Sequence, residues 1–401
     1  MATLLLQAGV VFAVVALGGA VATRVDQSVI PAYIVAGILV GPEVPDLLGV
    51  PFVLVESQEF ITLLSELGIV FLLFFIGLEF NLDRLLASRS QIASAGTIDL
   101  LVNGVVGLGL ALLFGFGPVE ALFLAGIVYI SSSAIITKTL IDLEWIADPE
   151  TEAILGTLVF EDVVIAVYLA LLSALVLGGG GSSDTLFALG RAGAVLVALV
   201  LLAFYGTGLL ERILSVRSDE QFLLRVVGSA VLVGGVALSM GVSEAVAAFF
   251  LGAAFGGTEH AERIERVITS ERDLYAAVFF FAIGLATDPS VVLEVATPLA
   301  ALVVATVASK LVSGYLGGQR YGLSKRRSIR VALAMVARGE FSLVLAALAA
   351  SAGTTPALRE TIPALAVGYV LVMSVVGTTL MRYSHVVERW AGTPQKTVAG
   401  R

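Results

Sequence analysis

Thirteen long apolar segments leave this 401-residue chain little choice of fold: residues 4–23, 29–42, 60–80, 92–115, 119–141, 152–177, 186–210, 221–240, 243–257, 273–287, 295–318, 329–351 and 362–381. A helix crosses a bilayer with roughly 20 apolar residues, and in lipid only helices and closed barrels satisfy their own backbone. Hydrophobic residues make up 58% of the chain and charged ones 14%. A typical soluble chain is about 25% charged, so a water-soluble globule would expose far too much apolar surface. Disorder is excluded for the same reason. The expected fold is an all-α polytopic membrane protein with 13 transmembrane helices and no sizeable soluble domain. The first segment is kept as a span, because only Met1-Ala2-Thr3 precede it and no basic residue stands there.

The absent cysteines exclude disulfides, thiolate metal sites and cysteine nucleophiles. The two histidines, His260 and His385, lie in charged stretches and not in a ligand cluster. No glycine pattern precedes a Lys-Ser/Thr pair, so a nucleotide-binding loop is not expected. No cofactor and no nucleic-acid partner are expected. The Gly178–Gly181 run reads as a flexible outer loop joining two packing units.

The basic residues orient the chain. With the N-terminus outside and thirteen spans, 18 of the 23 Lys and Arg fall on the cytoplasmic side and only Arg191 and Arg359 on the outer side. The expected topology is therefore N-terminus outside, C-terminus cytoplasmic, in the cell membrane. Residues 1–385 form the membrane domain and 386–401 a short cytoplasmic tail. There is also an internal repeat. Ile76-Gly77-Leu78 recurs as Ile283-Gly284-Leu285 at an offset of 207, and the same offset superposes the next three segments on their counterparts. Seven spans separate the copies, so they run oppositely, and inverted repeats of this kind are a transporter signature with a midplane site.

Charges inside the apolar segments are costly, about 2.5–3.5 kcal/mol at the bilayer centre, and mark function. Glu161-Asp162 stands at the middle of 152–177. Adjacent acids point about 100° apart on a helix and repel, which suits a carboxylate that trades a proton for a cation. Lys310 lies too deep in 295–318 to snorkel. Its expected partner is Glu161 or Asp162, and its repeat mate is Asn103. Ser131-Ser132-Ser133 falls by the offset on Arg338-Gly339-Glu340, with Phe341 and Ser342 following. Three serines, or a glycine between charges, weaken a helix, so both points are expected to be helix breaks that turn carbonyls and dipole ends toward an ion site. Arg338 and Glu340 are expected to pair with each other or with other acids. Asp99 and Asn103 are supporting polar groups, Asp99 bordering a cytoplasmic funnel. Glu66 and Glu79 read as interfacial and Glu244 as the outer start of a span. The acidic run Asp142, Glu144, Asp148, Glu150 and Glu152 reads as a solvated cytoplasmic loop.

Taken together, Ala36-Gly37-Ile-Leu-Val-Gly41-Pro42, Phe74-Phe-Ile-Gly-Leu-Glu79, Ser131-Ser-Ser-Ala134, Phe160-Glu-Asp162, Phe279-Phe-Phe-Ala-Ile-Gly-Leu285 and Ala337-Arg-Gly-Glu-Phe-Ser342 occur in an order and spacing that resembles the Kef/NapA-type branch of the monovalent cation:proton antiporters. The resemblance covers nearly all of residues 1–385. It implies a homodimer with the NhaA-like antiporter fold and two broken crossing helices. Core helices would lie at about 60–177 and 273–381, and dimerisation helices at about 4–42 and 186–257. It also implies elevator-type alternating access. Asp162 takes the position of the family's ion-binding aspartate, Glu161 that of the preceding acid, and Lys310 that of the core lysine paired with that acid. Glu161 departs from the family's usual Asp or Gln. The expected function is exchange of a monovalent cation, Na+ first, for H+, with K+/H+ exchange as the alternative. Ser131, Ser132 and Ser133 would add oxygen ligands. A channel-like pore fits the inverted repeat and single acid pair less well. Kef systems carry a cytoplasmic nucleotide-binding domain that is not expected within these 401 residues, which leaves room for a separate regulatory chain as a partner.

Overall fold

The computed structural model describes residues 4–25, 27–41, 58–79, 89–177, 182–240 and 242–390. Among the described residues the chain is helical throughout and has no strand. Its helices are α1 (Leu4–Arg24), α2 (Val29–Val40), α3 (Gln58–Glu79), α4 (Arg89–Leu113), α5 (Pro118–Tyr129), α6 (Ser133–Asp142), α7 (Glu150–Leu177), α8 (Ser182–Tyr205) and α9 (Thr207–Leu214). They continue as α10 (Asp219–Ser239), α11 (Glu244–Gly256), α12 (Ala261–Leu285), α13 (Pro289–Glu294), α14 (Ala296–Arg320), α15 (Lys325–Ala334), α16 (Glu340–Ala352), α17 (Ile362–Arg382) and α18 (Ser384–Trp390). All thirteen apolar segments are mainly helical where described, with interruptions inside 119–141, 186–210 and 329–351. Seven of these helices, counting α5 with α6 as one, are long and apolar enough to cross a membrane by themselves, and four further apolar helices are shorter. The Gly178–Gly181 run, Pro42 and residues 391–401 lie outside the described residues.

Helix starts follow local chemistry. The hydroxyls of Ser28, Ser218 and Ser243 accept from the first-turn amides of α2, α10 and α11. The turn from α4 to α5 passes through Gly115 at φ +79°, and that from α14 to α15 through Gly322 at φ +70°. This left-handed region is disfavoured for other L-residues. The two glycines are 207 positions apart.

The chain divides into two compact units. The first comprises residues 1–84, 164–294 and 344–367. In it α3 packs against α11 and α12, α12 against α2, and α1 against α2. Two of these crossings bring backbone onto backbone. A Cβ on Gly77 would run into the Phe249 carbonyl, and one on Gly284 into that of Ile34, the small-residue contact expected of helices in lipid. The unit holds a cavity of about 1000 Å³, lined among others by Glu66, Glu244, Asp288, Arg359 and Glu360. Glu66 is thus part of a cavity wall and not simply an interfacial charge. The second unit comprises residues 85–163, 295–343 and 368–401. Here α4 packs on α5 and α14, α14 on α15, and α15 on α18.

At one end of the second unit the acidic run is only partly solvated. Glu150 is 1% exposed and accepts from Arg330 Nη1 at 2.8 Å, and Asp148 accepts from the same nitrogen at 3.1 Å. Glu388, on α18, is 2% exposed and takes one bond from Arg326 and one from Arg330, each 2.7 Å. The Arg330 guanidinium also lies over the Trp145 ring at 4.5 Å. Glu150 and Glu388 are buried because a guanidinium fork meets them, a partner on a distant helix that composition cannot reveal.

Candidate functional site

All eleven residues singled out in the membrane-embedded segments belong to the second unit. The helix that begins at Pro118 ends at Tyr129 and resumes at Ser133. The one that begins at Lys325 ends at Ala334 and resumes at Glu340. The two interruptions lie against each other, with the Ser132 amide donating to the Ala337 carbonyl at 3.0 Å. Contact is this close because Gly339 has no side chain: a Cβ there would come within 2.9 Å of Ser132 Cβ. Gly377 does the same for the other face, since its Cβ would stand 2.5 Å from Ala337 Cα.

A broken helix leaves carbonyls at one end and amides at the other without partners. Two charges flanking Gly339 resolve this. Arg338, fully buried, donates to Val128 O from Nε and Nη2 at 3.3 and 3.1 Å. Its Nη1 donates to Met335 O, Val336 O and Ala337 O at 2.9, 3.1 and 3.1 Å. One guanidinium therefore serves the carbonyl ends of both α5 and α15, where a cation is favoured. Nε also reaches the Tyr369 hydroxyl at 3.2 Å. Glu340, also fully buried, serves the amide ends. Its Oε1 accepts from Ser133 Oγ and the Ala134 amide, both at 3.0 Å, and its Oε2 from Ser132 Oγ. It is itself the first residue of α16, where an anion is stabilised. Ser342 Oγ donates to Ile127 O at 3.0 Å. The expectation that Arg338 and Glu340 pair with each other or with other acids is thus replaced: each pairs with backbone ends and hydroxyls, because broken helices present partial charges that need neutralising.

Beside this crossing lies the acid pair. Glu161 is 0% and Asp162 8% exposed. Glu161 Oε2 accepts from the Ser131 amide at 2.6 Å, and Oε1 from Lys310 Nζ at 2.7 Å. Lys310 Nζ also donates to Asp99 Oδ2 at 2.7 Å and to Ser131 Oγ at 3.0 Å. Asp99 is therefore no funnel residue: it is 1% exposed and shares the lysine with Glu161. Its other oxygen accepts from Ser313 Oγ at 2.7 Å and Asn103 Nδ2 at 2.9 Å, and Ser309 Oγ donates to Asn103 Oδ1 at 2.7 Å. Its position toward the start of α4 concealed this, because only the packing of α4 on α14 brings residues about 210 apart together.

Three further residues escaped sequence reasoning. Ser309 directly precedes Lys310 and Ser313 follows it by about one turn, and both were hidden as ordinary helical serines. The Tyr129 ring faces the ammonium of Lys310 at 5.5 Å, and its buried hydroxyl has no hydrogen-bond partner among the described residues. An aromatic residue just before the serine run was the available signal. Among the described residues the carboxylates of Asp99, Glu161, Asp162 and Glu340 and the cations of Lys310 and Arg338 are all buried, an excess of negative charge in this region when all are ionised. Uncompensated buried charge costs several kcal/mol, so a site with this imbalance has room for a cation or proton. Among the described residues no group of His, Cys, Asp and Glu is arranged to hold a multivalent metal ion. The oxygens present suit a hard monovalent cation.

The chain is 36% identical over 387 residues to the K(+)/H(+) antiporter subunit KhtU of Bacillus subtilis, covering 96% of this chain and 95% of that one. It is 28% identical to the ammonium/H(+) antiporter subunit AmhT of Alkalihalophilus pseudofirmus, over 98% of this chain and 96% of the other. The structure of the sodium proton antiporter MjNhaP1 from Methanocaldococcus jannaschii superposes with a TM-score of 0.70 at 17% identity, over 94% of this chain and 100% of that one. The sodium/hydrogen exchanger transmembrane family matches residues 10–383. With the broken helices, the buried acid pair and the shared lysine in one unit, and this match over nearly its whole length, the chain belongs to that family of multi-pass membrane proteins that exchange a monovalent cation for protons.

Proposed function

We propose that Asp162 and Glu161 carry the exchanged ions, a monovalent cation in one state and a proton in the other. Lys310 holds Glu161 while the cation is absent. The observation that carries this reading is the Lys310–Glu161 pair at 2.7 Å with both side chains fully buried, one residue from Asp162. A buried pair of this kind opens only when a substitute charge arrives, since an unpaired buried ion costs about 3–5 kcal/mol. A bound cation is that substitute. Ser131, Ser132 and Ser133 add hydroxyls near the carboxylates, and Arg338 and Glu340 hold the break in shape. The cation is Na+ in the first reading. K+ is the second, favoured by the name of the relative at 36% identity, a K(+)/H(+) antiporter subunit. The word subunit in that name also supports a separate regulatory chain.

The finer architecture belongs to the same proposal: thirteen spans with the N-terminus outside, two inverted repeats, a homodimer, and elevator-like movement of the core helices. The repeats are supported by contacts between residues 207 apart, Ser133 with Glu340 and Ser131 with Arg338, and by the left-handed glycines at 115 and 322. On this topology the cavity carrying Glu66 and Glu244 opens to the outside. The test is reconstitution in proteoliposomes with an imposed proton gradient. Addition of Na+ or K+ is expected to dissipate the gradient, and Asp162→Asn to abolish that response. Exchange at wild-type rate in Asp162→Asn would sink the assignment of the ion-carrying acid.

A further inference from the structure

Lys310 has two carboxylate partners, and only one belongs to the acid pair. Its three ammonium protons are all engaged, to Asp99 Oδ2, Glu161 Oε1 and Ser131 Oγ. The partners are held differently. Asp99 lies on α4, oriented by Ser313 and Asn103 at 2.7 and 2.9 Å, and Asn103 is in turn oriented by Ser309 at 2.7 Å. Two of these three groups share α14 with the lysine itself. Glu161 is fastened instead to Ser131, at the helix break. When the acid pair takes a cation, the bond that gives way is the one to Glu161, and the bond to Asp99 has every reason to persist.

That asymmetry decides what happens to the lysine's proton. An ammonium that loses its sole carboxylate in a dry site gives up its proton rather than bear several kcal/mol of desolvation. An ammonium that still holds Asp99 does not. We propose that Asp99 is a permanent counter-ion that keeps Lys310 protonated through the cycle, so that the exchanged proton comes only from Glu161-Asp162 and one proton moves against one cation without net charge transfer. This rests on the antiport reading above. The balance is simple. In one state the carboxylate pair holds a cation, in the other it holds one proton on either oxygen set, and Asp99–Lys310 cancels in both. Without Asp99, opening of the Glu161 bond would release the lysine's proton as well, and two protons would leave for each cation that enters. Tyr129, whose ring faces the ammonium at 5.5 Å, adds no formal charge to this count. Asp99 is thus a positioning residue that acts through Lys310.

The experiment compares proton flux, read by an internal pH dye, with charge movement, read by electrometry on a solid-supported membrane. Both use the same proteoliposomes of the full chain and jumps of Na+ or K+. Wild type is expected to show proton flux without a transport current. Asp99→Asn is expected to exchange with a current of the sign of two protons per cation and a displaced pH profile. Asp99→Glu is expected to silence the current again, which a merely structural defect would not do. If Asp99→Asn does not survive purification, Ser313→Ala, which frees one oxygen of Asp99, is expected to give a smaller current of the same sign. A wild-type current that scales with flux overturns the proposal. So does silent exchange with an unchanged pH profile in Asp99→Asn, or in Ser313→Ala where that variant stands in. Absence of any cation-driven proton flux in wild type overturns the antiport reading itself, and this proposal with it.

Discussion

Arg338 and Glu340, two residues apart, neutralise opposite ends of the same pair of broken helices. Arg338 collects carbonyls from α5 and from the segment after α15, while Glu340 collects the amide and hydroxyls at the start of α6. Removing one partner of a buried ionic network leaves the other uncompensated, at a cost of about 3–5 kcal/mol. Arg338→Met is therefore expected to lower the midpoint of thermal unfolding in detergent sharply, with loss of exchange, and Arg338→Lys to recover little, since an ammonium cannot span carbonyls on two segments. A midpoint within a degree of wild type for Arg338→Met would show that the carbonyls find other partners. Glu340→Gln keeps the shape of the cap and loses the charge, and is expected to fall between wild type and Glu340→Ala in the same measurement.

At the level of elements, close approach is what small residues supply. Gly377 lets α17 lie on the Ala337 backbone, with a Cβ position only 2.5 Å from Ala337 Cα. Gly377→Ala must push the two apart, and overpacking of this kind costs about 1–3 kcal/mol. Gly109, on α4 with nothing within 4 Å of its Cβ position, is the control. Gly109→Ala is expected to leave melting and exchange unchanged. A second element-scale device is the fastening of α18 to α15 through Glu388. Burial works to raise the Glu388 carboxyl, but hydrogen bonds from Arg330 and Arg326 outweigh it and hold the group below the ordinary glutamate range. An acid with a depressed folded pKa contributes stability that is fully present above its unfolded value, about 4.3, and is lost as pH falls through the lower folded value. The link is therefore expected to hold at neutral pH and loosen only in strong acid. Proteolysis of the segment after α17 is expected to be slow at pH 7 in wild type and fast in Glu388→Gln at the same pH. Equal cleavage rates at pH 7 would remove the link from the account.

For the whole molecule, the absence of cysteine makes topology directly testable. Thr354 and Lys325 are both exposed and bracket the α15–α16 segment in sequence. In sealed right-side-out vesicles, Thr354→Cys is expected to react with an impermeant maleimide and Lys325→Cys only after the membrane is opened. The reverse pattern would invert the orientation drawn from the basic residues, and labelling of both from outside would break the alternation of spans. Because Lys325 and Thr354 frame one of the broken segments, the result also says whether that segment crosses the membrane.

Much of the site was legible because lipid makes charge conspicuous. Glu161, Asp162, Lys310, Arg338 and Glu340 stand out in apolar runs for the plain reason that hydrocarbon does not solvate them, and the 207-residue offset was readable because it is written into spacing. The helical character of the chain followed from the same physics, since a lipid-exposed backbone must bond within itself. What the sequence could not contain was who meets whom. Asp99 looked peripheral near the start of α4, yet it shares Lys310 at 2.7 Å with Glu161. Glu150 looked like a solvated charge and Glu388 fell in a short cytoplasmic tail, yet arginines from α15 meet both of them. Composition and periodicity determine which helices form, because they act on neighbours in sequence. The partners of a buried charge are chosen by packing between helices far apart in the chain, and that only the tertiary structure decides.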